Sequence, residues 1–102
     1  MRSYKLIIND SAQTDIRSLV DFITSINTPQ SGLNYETKLI HSLNALRNCA
    51  GSIQYSRFRY ARQIHPEAKT LSIMNHHWTV VFHIEGDYVV VDRILPSSTI
   101  AG

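Results

Sequence analysis

Trp78-Thr79-Val80-Val81-Phe82-His83-Ile84, then Glu85-Gly86-Asp87, then Tyr88-Val89-Val90-Val91-Asp92-Arg93-Ile94-Leu95: this stretch decides how the chain folds. β-Branched and aromatic residues dominate both runs, and the Gly-Asp punctuation between them predicts a hairpin turn. Strand alternation assigns the faces. Trp78, Val80, Phe82 and Ile84 share one side, the better core face. His77, Thr79, Val81 and His83 share the other, which is expected to stay partly open for solvent or a partner. Just upstream, Thr70-Leu71-Ser72-Ile73-Met74 reads as another strand and Asn75-His76 as a turn, so the last third is a meander. Residues 96–102, Pro96-Ser97-Ser98-Thr99-Ile100-Ala101-Gly102, read as a frayed tail.

Further upstream the period changes. Tyr4-Lys5-Leu6-Ile7-Ile8 is a first strand, punctuated by Asn9-Asp10-Ser11. Ser11 is the expected helix N-cap. Ala12, Ile16, Leu19, Val20, Ile23 and Ile26 then recur at helical spacing up to Asn27. Thr28-Pro29 restarts a helix, with proline at its first position. Leu33, Leu39, Ile40, Leu43, Leu46 and Ala50 carry its apolar stripe to a stop at Gly51. Two amphipathic helices with so short a break form an antiparallel hairpin. Residues 52–66 read as a loop with a short strand, and His65-Pro66 argues against helix there. The expected fold is α+β, in the order β-α-α-β-β-β. The helical hairpin covers the Trp78 face of a small, mostly antiparallel sheet, all within a single domain, residues 1–102.

Composition agrees with one globular domain. The chain has 102 residues and 11.6 kDa, with 43% apolar and 18% charged residues, which excludes disorder as the main state. No apolar run reaches the ~18 residues of a transmembrane helix. Met1-Arg2-Ser3-Tyr4-Lys5 leads into a run too short for a signal-peptide core, so the expected location is cytoplasmic, away from membranes. Cys49 is the single cysteine, which excludes an internal disulfide and a Cys-rich zinc site. It lies near the end of the second helix, where the dipole disfavours a thiolate nucleophile. His76 and His77 point to opposite faces. His77 and His83 share a face but stand roughly 20 Å apart on an extended strand. No metal and no cofactor are expected, and no nucleophile elbow, phosphate loop or dinucleotide fingerprint is present.

Charge is unevenly spread. Residues 37–66 carry Lys38, Arg47, Arg57, Arg59 and Arg62 with no acid, whereas acids predominate on either side. Within Tyr55–Arg62, three arginines interleave with Tyr55, Phe58 and Tyr60. Guanidinium groups contact phosphates and aromatic faces stack on bases, so this segment can face an anionic partner. The plainer reading is a solvated loop whose aromatics pack back on the core. Arg93 is the other cation able to reach the open face; its alternative is a cross-strand ion pair with Glu85 or Asp87.

From Tyr4 to Leu95 the chain resembles the RelE/ParE superfamily of bacterial type II toxins, nearer the ParE branch of plasmid-stabilisation proteins. The likeness rests on Asn9-Asp10-Ser11-Ala12, Asp15-Ile16, Asp21-Phe22-Ile23, Leu43-Asn44-Ala45-Leu46 and the Trp78–Leu95 signature. It departs at two places. Thr79 stands where the family commonly has arginine, and Pro96-Ser97-Ser98-Thr99 stands where RelE-type ribonucleases carry basic residues and a tyrosine. The resemblance implies a toxin that inhibits DNA gyrase without chemistry of its own, neutralised in a hetero-oligomer by a cognate antitoxin. The alternatives it leaves are a ribosome-dependent mRNA endoribonuclease and a non-toxic binding module of the same fold. It implies no catalytic residue. Arg57, Arg59, Arg62 and Arg93 are the expected target or antitoxin contacts, with His77, Thr79 and His83 on the open sheet face.

Overall fold

A computed structural model describes residues 3–101; Met1, Arg2 and Gly102, which the signal-peptide and tail readings included, lie outside them. Strand β1 (Lys5–Ile8) leads into helix α1 (Asp10–Ile26) and then α2 (Pro29–Cys49), which ends in one 3-10 turn, Ala50–Ser52. A short helix α3 (Arg59–Ile64) precedes the meander β2 (Lys69–Ile73), β3 (Trp78–Glu85) and β4 (Tyr88–Pro96), and helix α4 (Ser97–Ala101) follows it. The sheet order is β1-β4-β3-β2. β1 runs parallel to β4, and the other pairs are antiparallel. The expected α+β architecture is the one observed.

Local chemistry sets the boundaries. Thr28 caps α2 by accepting from the Ser31 N–H at 3.1 Å, with Pro29 inside the first turn. α1 begins one residue before the expected cap: Asn9 holds the N-cap position, and it makes no side-chain cap bond. Its amide instead donates to Asp92 on β4 at 2.9 Å. The hairpin turn needs Gly86, whose φ of +60° lies in the left-handed region.

The hairpin buries its stripe where alternation predicts. Ala12, Ile16 and Leu19 of α1 and Leu39, Leu43 and Leu46 of α2 pack on Val80, Phe82, Val89, Val91 and Ile94. Helix approaches helix at Gly32, where an added Cβ would run into the Thr24 side chain. A β-bulge shifts the register between β3 and β4: Val81 faces Arg93, whereas Phe82 faces Val91. Asp92 is the extra residue.

Three expectations need correction. The sheet's second face is not open. Thr79, Val81 and His83 on it are buried, and Val81 packs with Leu95, Ala61, Ala68, Ile64 and Ile100 in a second, smaller core. Residues 52–66 contain helix α3, which ends at His65 in extended backbone (φ −154°, ψ 136°), as a residue before proline must. The strand expected in that segment is reduced to a single bridge between Tyr55 and Lys69. The tail is not frayed, since Ser97–Ala101 form α4 and Ile100 is 4% exposed. α3 and α4 therefore roof the face opposite the hairpin.

Candidate functional site

The basic segment is built from a buried anchor and exposed tips. Ser56 is buried; its N–H donates to Ala68 O at 2.8 Å, and its hydroxyl accepts from Phe58 N–H at 3.1 Å and Thr70 Oγ1 at 3.3 Å. Ala61 is fully buried under α3. These contacts fix the backbone, while Arg57, Arg59 and Arg62 stay exposed together with Tyr55, Phe58 and Tyr60. Among the described residues, no carboxylate pairs with the three guanidinium groups. An array of unpaired guanidinium and aromatic groups on a fixed backbone suits an anionic partner surface.

Arg93 does not join that array, nor does it pair across the strands. It reaches α1 and forms a fork with Asp15, Nε to Oδ2 at 2.7 Å and Nη2 to Oδ1 at 3.1 Å. Asp15 Oδ2 also accepts from the Ile94 N–H at 2.9 Å. The Asp15 hydrogen bond holds the Arg93 guanidinium above its ordinary pKa, with burial opposing it. Arg93 is thus a structural tie between α1 and β4.

The three residues assigned to the sheet face are separated by the structure. His77 is exposed and lies in the turn before β3. Thr79 is buried and its hydroxyl shares a hydrogen bond with Ser97 at 2.9 Å, which ties β3 to the start of α4. His83 is buried beside α3. Its ring stacks on His65 with centroids 3.7 Å apart and planes 3° from parallel. Its Nδ1 meets Asp92 Oδ2 at 2.6 Å and its Nε2 meets Glu85 Oε2 at 3.4 Å. A carboxylate only accepts, so the ring donates to Asp92 from Nδ1. His65 Nδ1 in turn accepts from the Glu67 N–H at 3.0 Å.

A histidine oriented by an aspartate is the arrangement of a general base. Here both ring nitrogens already face carboxylates and the ring is buried, so the cluster pins the end of α3 to the sheet. Sequence reasoning missed this grouping because His65 and Asp92 come from segments read as loop and regular strand. Among the described residues, no group of three or more His, Cys, Asp or Glu side chains is placed to hold a metal ion.

Two further surfaces stand out. Phe22, Ile26 and Leu33 are each more than half exposed around the tip of the helical hairpin, at 56%, 59% and 56%. A cleft of about 710 Å³ lies between α2 and the β2–β3 turn, lined by Tyr35, Lys38, His41, Met74 and His77 among others. Trp78 Nε1 donates to Tyr35 OH at 2.8 Å beside it. Among the described residues, no helix is long and apolar enough to cross a membrane.

No protein-family model matches the sequence, and no curated protein matches it. The fold does match. A solved chain titled "Chromosomal ParDE TA system from P. aeruginosa" superposes with a TM-score of 0.78, over 92% of this chain and 96% of that one, at 16% identity. At that identity the likeness establishes the shared fold.

Proposed function

We propose that this chain is the toxin of a type II toxin–antitoxin pair, of the ParE kind. It binds DNA gyrase and halts it on cleaved DNA, and a cognate antitoxin holds it inactive in a hetero-oligomer in the cytoplasm. The observation that carries this reading is the division of the surface. The sheet face opposite the hairpin is roofed by α3 and α4, and its histidine is engaged on both nitrogens. What remains outward are binding groups: the unpaired Arg57, Arg59 and Arg62 and the apolar hairpin tip. The fold shared with a ParDE chain supports the same reading.

Cleaving RNA by attack of its 2′-hydroxyl needs a base, an acid and cationic stabilisation of the phosphorane. Thr79, at the position where the family commonly carries arginine, is buried and bonded to Ser97. The ribonuclease reading is therefore the weaker one, although Arg57, Arg59 and Arg62 would suit a phosphate backbone. The test is gyrase supercoiling of relaxed plasmid with the purified chain, scored for inhibition and for linear DNA. Both are expected together. A folded sample with no effect on gyrase that cuts mRNA on ribosomes overturns the proposal in favour of the ribonuclease.

A further inference from the structure

Beside the end of α2 lies a second cleft, of about 560 Å³, lined by Gly51, Ser52, Ile53, Gln54, Tyr55 and Lys69. Its mouth is exposed: Gly51, Ser52, Gln54 and Tyr55 all face solvent. Lys69 is buried, with 8% of its surface accessible. Its ammonium donates to Ala50 O at 3.3 Å and stands 5.3 Å from the centroid of the Tyr55 ring. Among the described residues, no carboxylate pairs with it.

Buried charges are normally paired, because a desolvated ion without a counter-charge is costly. Lys69 has only partial compensation. Ala50 O is a carbonyl at the end of a helix, the negative end of its dipole, and it takes one of three N–H donors. The Tyr55 ring offers its face to the cation. Among the described residues no anion completes the set, and Lys69 is one of the residues that line the cleft.

The lining also restricts what fits. Lys69 is the one charged residue among those that line the cleft, so the site offers a single positive charge. The lining holds no guanidinium fork of the kind that grips phosphate through two parallel bonds, and a single compact ammonium balances the one charge of a carboxylate. Ile53 and Tyr55 supply walls for an apolar stem, and Gln54 an amide at the mouth. We propose that this cleft binds a carboxylate group, carried by a small organic acid or by an acidic side chain of a peptide. The inference stands apart from the proposed function and does not depend on it.

The experiment follows the Lys69 Cε resonance and the amides of residues 51–55 by NMR in the full chain. Sodium acetate, N-acetylglutamate amide, inorganic phosphate and sodium chloride are titrated separately at constant ionic strength. Saturable shifts at Lys69 and Tyr55 with both carboxylates, and none with chloride, are expected. Lys69→Gln should weaken carboxylate binding at least tenfold. Tighter binding of the glutamate derivative than of acetate assigns the group to a peptide, and equal binding assigns it to a small acid. Shifts that never saturate, or that chloride reproduces, overturn the proposal and leave Lys69 as a cap on the end of α2. Phosphate binding more tightly than either carboxylate overturns the ligand class. If Lys69→Gln does not fold, the comparison of carboxylate with chloride in the unmodified chain still decides.

Discussion

Removing the Asp15 carboxylate is expected to unfold this protein more readily than removing the arginine it pairs with. β1 covers the edge of β4 only as far as the Ile8–Val91 pair. Ile94 lies beyond that, on an edge with no strand beside it, and is 2% exposed. Asp15 supplies the missing acceptor: its Oδ2 takes the Ile94 N–H at 2.9 Å while the carboxylate also holds Arg93. Asp15→Ala leaves a buried N–H unsatisfied, at about 1–3 kcal/mol. The lost ion pair adds less, about 0.5–1 kcal/mol, because the Arg93 side chain is 34% exposed and water screens it. The sum is about 1.5–4 kcal/mol, or on the order of 6–30 °C in Tm for a domain of this size.

Asp15→Asn keeps an oxygen for Ile94 and should cost about half as much. Arg93→Met strands no buried donor and should cost about 1 kcal/mol or less. Urea unfolding followed by Trp78 fluorescence measures all three. Equal losses for Asp15→Ala and Asp15→Asn would refute the argument that the Ile94 N–H dominates. The pH dependence has a definite sign. Asp15 raises the folded-state pKa of Arg93 above its unfolded value, so its contribution is complete below the arginine range and is lost only as pH rises through it. The difference between wild type and Arg93→Met should therefore be flat from about pH 6 to 9.

Ile100→Ala should lower stability by about 2 kcal/mol and speed hydrogen exchange in α4, since Ile100 is buried in the second core; an unchanged protein would restore the frayed tail. Gly32→Ala should cost about 1–3 kcal/mol by forcing the helices apart at Thr24, and Thr24→Ala should restore most of it; a loss untouched by the second substitution would place the clash elsewhere. Replacing Arg57, Arg59 and Arg62 together by alanine should move stability by about 0.5 kcal/mol per site or less, as for exposed groups, and, on the proposed function, should abolish gyrase inhibition. Retained inhibition would move the target contact away from the basic segment.

What the sequence yielded and what it withheld follow from the range of the interactions involved. Both long helices announce themselves through periods of three and four over several turns, and Thr28-Pro29 marks the break between them. α3 and α4 have six and five residues, too few to display a period. A signal for their roof was nevertheless present. Val89-Val90-Val91 and Ile94-Leu95 are apolar without alternation, the pattern of a strand covered on both faces. The bulge at Asp92 and the bond from Arg93 to Asp15, 78 residues away, left no such trace. Plain alternation through Asp92 would place Arg93 with Val89 and Val91, but one inserted residue reverses the faces beyond it and sets Arg93 opposite Val81.

That reversal bears on function. Without the bulge, Arg93 and Leu95 would follow Val89 and Val91 onto the hairpin face. With it, Ile94 enters the main core and Leu95 turns to meet Ile100 and close the roof. The same roof holds α3 against the sheet through Ala61, and the stack of His65 on His83 pins its end. Arg59 and Arg62 are thereby presented from a fixed helix, and Arg57 from the anchored segment before it, so little side-chain support must be assembled when a partner arrives. The His83–Asp92 contact at 2.6 Å lies at the foot of the same arrangement, since the ring that Asp92 orients is the one on which His65 stacks at the end of α3.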